Sequence, residues 1–355
     1  MDLIVGTYTR PIAGMAGNGA GIYRVPFDGG TGAFGPPDLL ADCVNPSSLV
    51  LSPCGVVLMA GREVFADHGP AVVSFRVSAD GGLTPLSHMP LDGQLPCHLA
   101  FDPAQRRLAS AQYWTGDVAI CPVAAGVLQP PRYLRRTGRG PNAARQEGPH
   151  AHCVAFSDGG EVLHLADLGT DSLVSHRLAP DGRAVETAEL RLPAGSGPRH
   201  IALNRAATRA WVVCELDETL ALLERAGLGW TLSRVRPGFE VPRGTDGAAA
   251  AIRLSHDARH VYISGRRQSS IAAFSGDGQL IGRFDTGGQG PREFIVTPDD
   301  GWIVVANQTS DTLTSLRREA ATGRLALTDN ACAIGSPASI VVDDRRDRRA
   351  APSRR

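Results

Sequence analysis

The sequence predicts an all-β chain, a seven-bladed β-propeller of four-stranded antiparallel blades, and three observations carry that prediction. One short segment recurs seven times, opening at Pro46, Pro96, Ala151, Pro198, Ala249, Pro291 and Pro337. In each copy a small or polar residue leads into three or four alternating apolar positions, and an Asp, Pro or Ser turn closes most of them. The copies are spaced by roughly 42–55 residues, the length of a propeller blade. No long amphipathic helical pattern competes with this period-two reading.

Each copy is followed by a second strand-like run, a polar turn and a third run. Residues 163–168 precede 171–175, 211–216 precede 219–223, 261–264 precede 271–274, and 302–307 precede 313–316. A fourth, less apolar stretch leads to the next copy, so the unit is a meander with an inner and an outer edge. About 28 short strands account for nearly all of the 355 residues, so 1–342 is read as a single propeller domain. Residues 343–355 are too charged to pack and are expected to form a disordered tail. An open ring would leave bare strand edges, so residues 3–7 should pair into the blade holding 331–334 or with its neighbouring strand.

Gly 41 and Pro 25 punctuate the strands as an all-β chain requires. The formal net charge of +0 indicates neither a nucleic-acid stripe nor an acidic tail. The N-terminus lacks the basic region and apolar core of a signal peptide, and no run is long enough to span a bilayer, so a cytoplasmic monomer or weak homo-oligomer with no membrane partner is expected. Seven scattered cysteines without CxxC spacing point to reduced thiols and to neither a disulfide framework nor a zinc site. The chain contains no lysine, which excludes Schiff-base and P-loop chemistry that needs a primary amine. Gly14, Gly17, Gly19 and Gly21 lack the strand–turn–helix context of a nucleotide loop and read as a surface loop.

In a meander blade the start of the innermost strand and the end of the second open onto the same face. One ring of the propeller mouth therefore holds Ser47, Cys97, His152, Arg199, Ala250, Arg292 and Ala338, with His98 and His200 beside it. A second ring, at the ends of the second strands, holds Gln112, Asp167, Cys214, Gly265 and Asn307, followed by Tyr113, Leu168, Glu215, Arg266 and Gln308. Polar groups concentrate in one arc of blades three to five: His150, His152, Arg199, His200, Glu215 and Arg266, with Arg292 from the next blade. An imidazole or carboxylate to move a proton, with arginine forks to hold anionic oxygens, is the equipment of an acid/base site for an anion. Arginines beside the His/Glu set oppose a divalent cation, and no HExxH-type spacing is present, so neither metal nor cofactor is expected.

At these residues the chain resembles the propeller-type lactonase family, which includes bacterial 6-phosphogluconolactonases and fungal 3-carboxy-cis,cis-muconate cyclases. The likeness runs over nearly the whole chain, and its more specific pieces are Pro149-His150-Ala151-His152, Gly197-Pro198-Arg199-His200, Glu215-Leu216-Asp217, Gly290-Pro291-Arg292 and Ala306-Asn307-Gln308. The resemblance implies lactone chemistry without a metal, with catalytic roles falling on His152, Arg199, Glu215 and Arg266. His150, His98, His200, Arg292, Asp167 and Gln308 are then candidates for substrate binding. Blade five departs from the family pattern at Ala251, Arg253 and Gly265-Arg266-Arg267-Gln268, and Glu293 follows Arg292 where relatives have glycine.

Three functions are consistent with this reading. The first is hydrolysis of a small anionic or sugar lactone, 6-phosphoglucono-1,5-lactone first among them, with Glu215 or His152 as general base and Arg199 and Arg266 on the anion and the developing oxyanion. The second is lactone-forming cyclisation of an unsaturated dicarboxylate at the same groups. The third is a ligand- or protein-binding propeller without catalysis, since fold alone assigns no chemistry.

Overall fold

Each of the seven recurring segments forms an innermost strand: Pro46–Leu51, Pro96–Phe101, Ala151–Ser157, Pro198–Leu203, Ala249–Leu254, Pro291–Val296 and Pro337–Asp343, taken here as blades one to seven. A computed structural model describes residues 1–240 and 247–345. Blades one, three, four, five and six are four-stranded antiparallel meanders in sequence order, and blade two splits its outer edge between Val127–Leu128 and Arg132–Leu134.

Blade seven closes the ring. Its inner strand comes from the C-terminal end and its other three strands, Asp2–Thr7, Gly21–Pro26 and Asp38–Asp42, from the N-terminal end. Asp2–Thr7 pairs with Pro337–Asp343, setting Val5 opposite Ile340. Of the two sites expected for closure, the neighbouring strand is the one used, because 331–333 already complete the outer edge of blade six in Leu325–Ala333. The closing strand is buried along its whole length, so its burial as well as its hydrogen bonds hold the ring shut.

The apolar core lies between blades. Val154, Leu165 and Val174 of blade three meet Ala111, Val118 and Ile120 of blade two, and the same face-to-face packing joins Trp211 and Val213 of blade four to Ile252 and Ile263 of blade five. Alternation along each strand is therefore not apolar-in, polar-out: both faces are covered by neighbouring sheets, and the outermost strands carry the exposed positions, such as Val185, Leu232 and Leu327.

The inner strand of blade seven runs through Asp343, one residue beyond the expected domain end. Arg345 then ion-pairs with Asp343 at 2.6 Å and donates to the Val77 and Ser78 carbonyls of blade one. The rest of the expected tail, 346–355, lies outside the described residues. All seven cysteines are free thiols.

Candidate functional site

Two repeated backbone features turn side chains toward the channel. In blades one to six the register with the second strand slips just after the first residue of the inner strand, as between Ala151 and Cys153 or Pro198 and His200. Blade seven repeats the slip, pairing Pro337 with Thr7 and Ser339 with Gly6 and leaving Ala338 unpaired. A bulge leaves the ladder and re-aims its side chain, and the residues so released are Ser47, Cys97, His152, Arg199, Ala250, Arg292 and Ala338. The second feature is a sevenfold hydrogen bond. The residue after each second strand donates its backbone N–H to the carbonyl of the residue just before an inner strand: Tyr8 to Ser336, Glu63 to Asn45, Tyr113 to Leu95, Leu168 to His150, Glu215 to Gly197, Arg266 to Ala248 and Gln308 to Gly290.

Together the two rings enclose a mouth cavity of about 1020 Å³. His150, His152, Arg199, Glu215, Arg266, Arg292 and Gln308 line it. Its centre is the buried carboxylate of Glu215. Arg145 Nη2 donates to Oε1 at 2.7 Å, Arg266 Nη2 lies 3.1 Å from the same oxygen, and Arg199 Nε lies 2.9 Å from Oε2. His152 Nε2 is 4.0 Å from Oε2. Arg199 is itself fixed from blade five, donating to the Ala250 carbonyl at 2.7 Å.

The charges set the protonation of the pair. Burial pushes the Glu215 carboxyl up, but Arg266, Arg199 and Arg145 together outweigh it and hold it well below the usual carboxylate range. Burial, reinforced by Arg199, pulls the His152 imidazole far below its ordinary value, so the ring is neutral at physiological pH. A neutral imidazole beside a permanently ionised carboxylate is an arrangement in which a proton taken by the ring is stabilised by its neighbour.

Arg145 and Glu63 line the mouth from outside the sequence-predicted set, and Tyr8 lies buried behind Glu63. Arg145 sits in the irregular stretch before blade three, where no periodicity marks it, and Gln146 anchors that stretch by donating to the Leu168 carbonyl and to Asp171. Glu63 and Tyr8 occupy in blades one and seven the position that Glu215 occupies in blade four, so the same offset, applied to every copy, would have found them. The Tyr8 hydroxyl donates to Glu63 Oε2 at 2.6 Å, and the Arg292 guanidinium lies over the Tyr8 ring, 3.7 Å from Glu63. The glycine-containing loop expected only at the surface also reaches the mouth, where Ala13, Gly14, Met15 and Ala16 form part of the rim.

Three sequence-predicted ligands are placed elsewhere. Asp167 is fully buried and spent on structure: it accepts from the His150 and Gly169 backbone N–H groups and pairs with Arg136 at 3.0 Å. His98 and His200 do not line the mouth. They line a smaller cavity of about 220 Å³ deeper in the channel, sharing Cys97, Arg199 and Arg292 with it. Residues one position past the bulge rejoin the ladder and are directed away from the mouth, which is the physical reason for their displacement. Two of the departures from the family pattern answer each other, since Arg253 of blade five pairs with Glu293 of blade six at 2.7 Å. Among the described residues no cluster of three or more His, Cys, Asp or Glu side chains is disposed to hold a metal ion.

Comparison with known proteins agrees with this fold. The lactonase family with a 7-bladed β-propeller matches residues 2–342. The 6-phosphogluconolactonase of Bacillus subtilis is 31% identical over 346 residues, covering 95% of this chain and 96% of that protein. The 6-phosphogluconolactonase of Formosa agariphila is 26% identical over 322 residues, covering 86% and 91%. The solved structure of the periplasmic gluconolactonase of Pseudomonas aeruginosa superposes with a TM-score of 0.86 at 27% identity, covering 96% of this chain and 98% of that one. With its seven blades and a mouth built from inner-strand bulges, the chain belongs to the seven-bladed β-propeller lactonase family.

Proposed function

We propose that the protein hydrolyses a small anionic sugar lactone, with 6-phosphoglucono-1,5-lactone the first substrate to test. The observation that carries this reading is the convergence of Arg145, Arg199 and Arg266 on one buried carboxylate beside a neutral imidazole. The relatives described as 6-phosphogluconolactonase and gluconolactonase support the substrate class.

In this reading His152 is the general base. Water attacks the lactone carbonyl carbon while the imidazole takes its proton, and Glu215 stabilises the imidazolium that results. The tetrahedral oxyanion then collapses, the ring C–O bond breaks, and the imidazolium returns the proton to the departing ring oxygen, giving the open hydroxy acid. The arginines divide by exposure. The Arg199 side chain is 3% exposed and stays behind Glu215, whereas those of Arg145 and Arg266, 29% and 23% exposed, reach the mouth and can meet the substrate anion and the oxyanion. A carboxylate engaged by three guanidinium groups is a weak base, which moves that role from Glu215 to His152.

The test is acid release from 6-phosphogluconolactone by the purified protein, set against the spontaneous rate, with unphosphorylated gluconolactone and a carboxymuconate alongside. Acceleration of a sugar lactone is expected, greater with the phosphate. Turnover of the carboxymuconate alone would replace hydrolysis by cyclisation, and turnover of none would leave a binding propeller.

A further inference from the structure

The mouth has two unlike sides. Blades three to five contribute the guanidinium groups of Arg145, Arg199 and Arg266 together with Glu215, whereas Ala13, Met15, Leu95 and Trp114 form an apolar arc from blades seven, one and two. Trp114 stands out within that arc. Its side chain is bulky and apolar, yet the residue is 51% exposed, while Trp211, Trp230 and Trp302 are at most 5% exposed.

The exposure is held in place by the surrounding structure. The Trp114 backbone N–H donates to the Gln94 carbonyl, next to the Tyr113 bond to Leu95. Phe65, from the loop after the second strand of blade one, meets the indole at 86° with ring centroids 5.4 Å apart. Two neighbouring blades thus fix an indole at the rim and leave half of it uncovered. Leaving that much aromatic surface in water forfeits burial energy that the fold could have taken, and an apolar surface lining a cavity is where a ligand recovers it.

We infer that Trp114 is a stacking platform that receives the C–H face of a pyranose-type ring, with the ligand's anionic end directed across the mouth to Arg266 and Arg145. A six-membered sugar ring presents axial C–H bonds on a flat face and hydroxyls at its edge. Such a ligand fits a cavity that is aromatic on one side and cationic on the other. Trp114 is a specificity-determining residue in this account and takes no part in proton transfer. The inference rests on the sugar-lactone reading for its ligand class but not on hydrolysis.

The probe is glucose 6-phosphate, which keeps the pyranose ring and the phosphate and lacks the lactone carbonyl. Of the four tryptophans Trp114 is the one open to iodide, so quenching of tryptophan fluorescence reports its cover directly. Glucose 6-phosphate is expected to suppress iodide quenching in the parent protein, and inorganic phosphate, which fills only the arginine side, to leave it unchanged. Trp114→Ala should weaken glucose 6-phosphate binding by roughly three- to tenfold with phosphate affinity unaltered, and Trp114→Phe should restore most of it. Failure of glucose 6-phosphate to bind, binding without protection from iodide, or an unchanged Kd in Trp114→Ala overturns the platform. Lactone turnover in the parent, measured separately, identifies which reading has failed: intact turnover without protection removes the platform alone, and protection without turnover removes hydrolysis alone.

Discussion

Arg199 Nε lies 2.9 Å from Oε2 of Glu215, and both side chains are almost wholly buried at the inner end of the mouth. The pair joins the two rings of blade four, since Arg199 is the bulged residue of its inner strand and Glu215 follows its second strand. A single blade therefore builds an internally neutralised site, and Arg145 and Arg266 add the positive charge that an anionic substrate would meet.

Glu215→Gln should lower kcat by roughly a hundred- to ten-thousandfold, because the imidazolium loses its counter-charge. It should also destabilise the fold by about 3–5 kcal/mol, since three guanidinium groups, one of them buried, lose their partner. Steady-state kinetics and urea denaturation measure the two effects. Parental turnover with a lowered stability would make Glu215 a purely structural anion.

His152 fixes the acid limb of the pH profile. Its folded pKa lies well below the ordinary 6.5, the neutral ring is the competent form, and activity should therefore be level near neutrality and fall only as the pH drops through that lowered value. His152→Asn should abolish turnover across the range. A limb centred above about pH 6.5 in kcat/KM would exclude His152 as the base.

Acid should weaken the fold through a histidine remote from the site. His164 Nδ1 accepts from Trp230 Nε1 at 3.1 Å and lies 2.8 Å from Ser175 Oγ, while Nε2 lies 2.9 Å from Ser157 Oγ and 3.5 Å from Arg225 Nη1. The Trp230 N–H and the Arg225 guanidinium face the ring as donors, and burial with the Arg225 charge lowers its pKa to about 3. Because the unfolded chain protonates near 6.5, the stabilisation is complete above that pH and is lost as pH falls toward 3. The His164 share of the loss should reach about 2 kcal/mol by about pH 5, read as the difference in pH dependence of denaturation between the parent and His164→Gln, since His98 and His176 add losses of their own.

Tyr8→Phe should cost about 1.5–3 kcal/mol of stability, the range for a hydrogen bond to a charged group, because it leaves Glu63 with only the longer contact to Arg292. Tyr8 directly follows the closing strand, so the loss should appear in the global unfolding transition. An unchanged denaturation midpoint would show that Arg292 alone satisfies Glu63.

The seven repeats were legible because a blade is a local object. Apolar alternation, turn residues and spacing lie within about fifty residues of each other, and the ring of positions that reaches the mouth follows from where each copy begins. By that logic His152, Arg199, Glu215, Arg266, Arg292 and Gln308 were all recoverable from the chain itself, as were Glu63 and Tyr8 had the offset been carried to every blade. Tertiary structure alone decided the remainder. Whether a residue at an inner-strand start faces the mouth or the deeper cavity depends on a one-residue register slip, which sends His152 one way and His98 and His200 the other. That Asp167 serves a turn, that Arg145 arrives from an aperiodic loop, and that Trp114 is left uncovered are likewise set by contacts between segments far apart in sequence. A pattern along the chain records which residues share a strand; which charges meet across the channel is fixed only when the ring closes.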